Sequence, residues 1–425
     1  MKIKLRDLDY AQVLALPRPQ HQRPQRQRRL FRLLLHMLAH TDPAARQAQF
    51  VESGMAELRR QGGPWLVLMN HSCFLDLKLA SRYLRDRPFS IVCTSDGFVG
   101  KYGLMRALGC IPTPKFVTSP TLVRDMDFAL HQLGQSVLMY PEASYSFDGK
   151  ATPLPQALGR LLKLLKVPVV TMITQGAFSH DPLYNGLQER QVPVSVEVKY
   201  LLSPESISQS TPEQLNQVLA REFSFDNFAW QRDNRIRIDA PFRADGLNRV
   251  LYKCPHCRQE GQMLGHGVNL SCQACGRVWL LDEYGRLRLQ TPSGGETEFS
   301  HIPDWYAWER DQVRQEILAG VYSLDLEVDI RMMADYRAIY NVGQGRLRHD
   351  SSGFHLQGCQ GRLDYRQPPA ASYSLYADYL WYELGDMVCI GNGRLLYYCF
   401  PRRGGDIVAK ARLATEEMYK LAGGG

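Results

Sequence analysis

Residues 65–80 read WLVLMNHSCFLDLKLA, and the fold turns on how they are parsed. Trp65 to Met69 is a short apolar run of the kind that forms a buried strand. Phe74 to Leu84 has helical spacing, with Ser72 placed to act as an N-cap. The chain therefore leaves a strand and enters a helix through Asn70-His71-Ser72, with Asp76 five residues after His71. Side chains at such a junction point into a crevice at the carboxyl end of a sheet.

The same alternation continues on both sides. Strand patterns fall at 64–69, 89–95, 136–140, 167–174 and 194–202, with helical patterns near 74–86, 121–134 and 156–166. This rhythm predicts an α/β domain over residues 51–245 with a mixed, partly parallel sheet. Thr211, Pro212 and Gln214 announce a further helix with a capping box. Residues 250–290 form a cysteine module, and TPSGGETEFS reads as a linker. Residues 300–425 hold short aromatic strands and a final helix, which predicts a small β-rich domain, loosely similar to a pleckstrin-homology or GRAM barrel.

Composition is that of a globular protein, with 44% hydrophobic residues and a mean hydropathy of −0.30. No apolar run approaches the roughly 18 residues that span a bilayer. The first ten residues, MKIKLRDLDY, are too charged for a signal peptide, and a cytoplasmic location is expected. The charge of +8 is concentrated: residues 1–32 hold nine Lys/Arg against Asp7 and Asp9. A leucine-rich stretch, LFRLLLHMLAH, follows directly. Residues 1–50 are thus expected to be a basic arm and an amphipathic helix, placing the protein on the inner face of a membrane, where each basic residue contributes about 1 kcal/mol toward anionic lipid.

An H-x4-D spacing is weak evidence by itself, but other blocks follow in order. Around His71 the sequence is NHSCFLD, then GCIPTPK at 109–115, YPEASYS at 140–146 and VPVVTM at 167–172. This series resembles the glycerolipid (1-acylglycerol-3-phosphate and lysophospholipid) acyltransferase family. The resemblance implies that His71 and Asp76 are catalytic, the imidazole removing the acceptor hydroxyl proton and the carboxylate orienting it. It implies substrate contacts from Asn70, Lys115, Glu142, Ser144 and Tyr145, and acyl-CoA or acyl-carrier protein as donor in phospholipid biosynthesis. Two positions depart from the family pattern. The arginine of the second block is Lys115, and Gly-Thr-Arg of the third is Ala143-Ser144-Tyr145, so an acceptor without a terminal phosphate is expected.

CPHC, fourteen residues, then CQAC is the spacing of a zinc ribbon. It gives Cys254, Cys257, Cys272 and Cys275 as ligands to a structural zinc separable from the acyl-transfer chemistry. The other six cysteines lie mostly in apolar segments, as buried free thiols do in a reducing compartment. Two other functions compete with acyl transfer. One is a non-catalytic lipid-binding or scaffold protein on a decayed acyltransferase fold, suggested by the altered third block. The other is nucleic-acid binding; it is disfavoured because the basic residues are not interleaved with aromatics and the rest of the chain is nearly neutral.

Overall fold

The apolar run at 65–69 becomes the strand Leu66–Met69, buried throughout, in the middle of a seven-stranded sheet. The computed structural model describes residues 3–116, 119–290, 296–402 and 406–423. Across the sheet the strands run Gln49–Ser53, Ser195–Leu202, Val169–Gln175, Leu66–Met69, Ser136–Met139, Phe89–Thr94, Cys110–Thr113. Every neighbouring pair is parallel except Val169–Gln175 with Ser195–Leu202. The sheet is mixed, as expected, with two edge strands (Gln49–Ser53 and Cys110–Thr113) that the sequence pattern did not reveal.

Both faces are covered, which is why the central strands are apolar without alternation. Val67 and Met69 pack with Leu75 and Leu79 on one face. Leu66 and Leu68 pack with Leu158 and Leu162 of the helix Ala157–Leu165 on the other. The helix Pro212–Glu222 carries the expected capping box, Thr211 receiving Gln214 N–H and returning its own N–H to that side chain.

The cysteine module is a four-stranded antiparallel sheet in the order Leu287–Leu289, Val278–Leu281, Asn269–Cys272, Met263–His266. Of the expected linker, residues 291–295 lie outside the described residues; beyond them Phe299 already packs on Trp305 and Trp308. The C-terminal region is a sheet whose ends, Leu363–Gln367 and Tyr376–Asp378, do not pair among the described residues. It is an open sheet, not the closed barrel that its strand rhythm suggested. The final helix, Ile407–Leu421, is largely interior. Val408 to Met418 are all buried, and the helix packs on Ile302–Leu318.

The N-terminal arm is bound to the body rather than trailing in solvent. Leu5–Asp7 adds a parallel strand beside Ile339–Asp350, and Tyr10 and Val13 enter the core. Asp9 is paired with Arg362, Arg18 donates to the Ala334 carbonyl, and His21 meets Asp125 at 2.9 Å. The arm thus ties the C-terminal sheet to the α/β sheet. One hydrophobic core runs from the cysteine module through the C-terminal helices to Phe147 and Phe178 of the α/β domain. Among the described residues no helix is long and apolar enough to cross a membrane.

Candidate active site and metal centre

The helix Leu75–Tyr83 starts after Phe74 and not at Ser72; Phe74 is its N-cap, without a side-chain capping bond, and Asp76 lies in its first turn. Asp76 Oδ2 accepts the N–H groups of Ser72 (2.7 Å) and Cys73 (3.1 Å), turning the chain sharply after the strand. The same oxygen lies 3.1 Å from His71 Nδ1. With three donors converging on one carboxylate oxygen, the imidazole proton belongs on Nδ1. Among the described residues Nε2 has no hydrogen-bond partner.

Two tyrosine rings lie against the imidazole, one stacked and one tilted. Tyr140 stacks on it at 4.0 Å and Tyr145 lies at 4.2 Å, so block three holds the residue that block one presents. Its side chain is 19% exposed. Burial, reinforced by the charge of Lys115, holds the imidazole well below its ordinary pKa, and the neutral, proton-accepting form prevails at neutral pH. Burial also drives the Asp76 carboxyl up, opposed by the two backbone N–H bonds.

Glu142 braces the turn from beneath. Its Oε1 accepts His71 N–H (3.0 Å), and its Oε2 accepts the Thr152 N–H (2.7 Å) and hydroxyl (2.8 Å). Burial raises this carboxyl to about 7. Ser146 N–H closes the frame on the His71 carbonyl at 2.9 Å. Ala143, where the family has glycine, sits at φ 56°, a left-handed conformation that costs an L-residue about 1–2 kcal/mol. Ala143→Gly is therefore expected to raise the melting temperature slightly; a fall in melting temperature would show that the turn needs the methyl group.

Three of the expected substrate contacts, Asn70, Glu142 and Ser144, are buried and hydrogen-bonded within the frame of the site. Asn70 is fully buried, its Oδ1 accepting Thr174 N–H (2.8 Å) and its Nδ2 reaching the Thr174 carbonyl and the Ser72 hydroxyl. Glu142 and Ser144 are also buried, the latter donating to the Tyr145 carbonyl. Lys115 points to the C-terminal sheet: its amine lies 4.0 Å over the Tyr376 ring, and its charge opposes the burial that raises Asp378 to about 7. Tyr376 and Trp381 in turn donate to Asp96 Oδ2. The second block's glycine has a steric reason, since Gly109 has φ 83° and a Cβ there would meet the Phe89 carbonyl at 2.9 Å.

Residues that sequence spacing did not single out complete the site. Tyr140 was visible only as the first letter of a block, yet its ring clamps His71 and its buried hydroxyl has no partner among the described residues. Arg412, 267 residues after Tyr145, donates to the Tyr145 carbonyl at 3.1 Å and lies 4.4 Å over the Phe147 ring. No local signal could have found it.

The four cysteines of the paired motifs come together, with every sulfur within 4.8 Å of the others. Cys254 and Cys275 are 3.8 Å apart and Cys257 and Cys272 3.6 Å. Four thiolates around one ion at about 2.3 Å stand about 3.8 Å apart, so the cluster fits a tetrahedral metal. Each pair is a knuckle: Arg258 N–H reaches the Cys254 carbonyl, and Gly276 N–H reaches the Cys272 carbonyl.

No curated protein sequence matches the chain. A likeness exists to the crystal structure of the 1-acyl-sn-glycerophosphate (LPA) acyltransferase PlsC from Thermotoga maritima, at 15% identity and a TM-score of 0.37, covering 45% of this chain and 76% of that one. Residues 50–175 match the Acyltransferase family model, and all four sequence blocks, with the His71–Asp76 junction they surround, fall within this acyltransferase-family segment.

Proposed function

We propose that the protein is a peripheral-membrane O-acyltransferase that moves a fatty acyl group from acyl-CoA or acyl-carrier protein to a hydroxyl of a lipid acceptor. The observation that carries this reading is the neutral imidazole of His71, held by Asp76 on Nδ1 with Nε2 free, inside the matched segment. Nε2 accepts the proton of the acceptor hydroxyl as its oxygen attacks the thioester carbonyl. Asp76 stabilises the imidazolium that forms, and the two tyrosine faces favour that cation. Collapse of the tetrahedral intermediate releases the thiol, which takes the proton back from His71. Burial keeps the Tyr140 phenol protonated, so it is a donor available to the developing oxyanion. The test is acyl transfer by purified protein to lipid acceptors, wild type against His71→Ala.

The sulfur cluster is proposed to hold one zinc ion through Cys254, Cys257, Cys272 and Cys275. Such an ion links two knuckles and supplies no step of the transfer.

Membrane attachment is proposed through the helix Arg29–Thr41. It turns Phe31, Leu35 and Ala39 inward and leaves Leu30, Leu33, Leu34, Met37 and Leu38 exposed in a single stripe. Exposed Arg26, Arg28 and Arg29 flank the stripe. The helix packs on Leu75–Tyr83, the helix that follows the His71 turn. Leu34→Glu with Leu38→Glu is expected to reduce binding to anionic vesicles at least tenfold, since each leucine buried in lipid contributes about 1.5–3 kcal/mol. Added salt should weaken wild-type binding. Equal binding by the double variant, or equal wild-type binding to neutral and anionic vesicles, would remove the helix and its arginines from membrane attachment.

A further inference from the structure

A cavity of about 510 Å³ lies where the segment after the third block (residues 147–156), the helix Pro212–Glu222 and the two C-terminal helices meet. That volume suits a small amphiphilic ligand. Its lining combines the apolar Leu154, Leu158 and Phe223 with the cations Lys150, Arg310, Arg412 and Lys420. Such a combination matches a molecule with an acyl or other apolar portion and an anionic group.

The cations are fixed from behind. Glu416 takes Arg310 on one oxygen (2.7 Å) and Arg412 on the other (3.1 Å), while Glu417 takes Arg310 (3.1 Å) and Lys420 (2.7 Å). Three cations thus face two carboxylates from behind, and of the acidic and basic side chains that line the cavity itself four are cations and one, Asp148, is a carboxyl. Arg412 is buried, so its guanidinium is both oriented and poorly hydrated, the condition in which it binds a phosphate most strongly. Lys150, about half exposed, stands 3.9 Å from Asp226, whose closer partner is His301 at 2.8 Å. Asp148 also lines the cavity; burial raises its carboxyl, which already accepts the Lys150 N–H.

Two residues that line the cavity are hydrogen-bonded to the frame of the His71 turn. Thr152 lines it and donates to Glu142, whose other oxygen holds His71 N–H. Arg412 lines it and grips the carbonyl of Tyr145, whose ring clamps His71.

We infer that this cavity is a binding site for a phosphate-bearing acyl amphiphile, with Arg310, Arg412, Lys150 and Lys420 standing in for the cation that the third block lacks. The arginine position of the third block is Tyr145, and the structure brings a guanidinium from the C-terminal helix to that same turn. The site takes either the phosphate of an acyl-CoA donor or that of a lysophospholipid acceptor. The inference rests on the acyl-transfer reading for the role of that ligand but not for its binding.

The test measures binding by full-length protein of decanoyl-CoA and 1-decanoyl-lysophosphatidate. Decanoyl-pantetheine and monodecanoylglycerol serve as counterparts without phosphate. Wild type is expected to prefer one phosphate-bearing probe to its counterpart by at least about tenfold, and Lys150→Glu with Lys420→Glu should erase that preference. Both lysines are half exposed, so the variant folds; Arg366→Glu, on the far C-terminal sheet, should retain the preference. Preference for decanoyl-CoA assigns the phosphate to the donor, and preference for lysophosphatidate assigns it to the acceptor. No preference in wild type, or one that survives in the double variant, overturns the inference. A preference lost in the variant, in a protein that transfers no acyl group, sustains the site and removes the enzyme.

Discussion

His71→Ala is expected to lower acyl transfer by roughly 10²–10⁴-fold while leaving the melting profile nearly unchanged, the effect of removing a positioned general base. The fold should survive because Asp76 keeps the Ser72 and Cys73 N–H groups, which make the turn, and Glu142 still holds the backbone at position 71. Asp76→Asn is a stricter test of the mechanism. Its amide oxygen can take the place of Oδ2 and keep all three donors, but it brings no negative charge to stabilise the imidazolium, so transfer should fall while the turn stays intact. Because the two side chains act as a unit, the double variant should be little worse than His71→Ala alone. Activity above about a tenth of wild type in His71→Ala would remove the assignment. A purely structural role for the pair would instead appear as a lowered melting temperature in every variant.

The α/β domain was legible because its information is local. Buried parallel strands are short apolar runs, the helices between them are periodic, and the blocks fall at their junctions. The strand Gln49–Ser53 escaped because it is an edge strand whose side chains are mostly exposed, leaving a polar pattern. The arm escaped for a different reason. Its few apolar contacts and its ion pairs are made with residues such as Ile339 and Arg362, more than 300 positions away, and nothing near it in sequence signals them.

The terminal helix shows how charge misleads a reading from sequence. Lys410, Arg412, Glu416 and Glu417 mark a solvated face by composition, yet all four are buried. Each is paired: Lys410 with Glu260 and Glu316, Arg412 with Glu416, and Glu417 with Arg310. A buried charge is tolerable when its partner is buried with it. The site was half legible on the same grounds. His71 and Asp76 are five residues apart and could be seen together, whereas Tyr145 and Arg412 meet only through the tertiary fold. Departures in the third block suggest a ligand without phosphate, and the cations of the proposed cavity lie outside every block.

Metal removal is expected to have the widest structural effect of any single perturbation. A structural zinc in four thiolates is worth about 10–16 kcal/mol in isolated modules, and much of the folding free energy of such a module depends on it. Here the first knuckle is also an anchor for the rest of the chain. Beside Cys254, the Lys253 N–H donates to Glu309, the Lys253 carbonyl accepts the Trp305 indole N–H, and the Lys253 amine meets Glu316 at 2.9 Å. The knuckle therefore seats the helix Ile302–Leu318, which packs on the terminal helix that carries Arg412. Although the cysteines lie outside the acyltransferase blocks, the shared core makes the two inseparable in stability. Purified protein should contain one zinc per chain. Chelation, or Cys254→Ser, should lower the melting temperature by more than about 10 °C. Acyl transfer should then fall in step with the loss of folded protein and return when zinc is restored to the chelated wild type. Zinc-free protein with full activity would defeat the metal assignment. If transfer were abolished while the melting curve stayed in place, the ion would belong to the chemistry rather than to the scaffold.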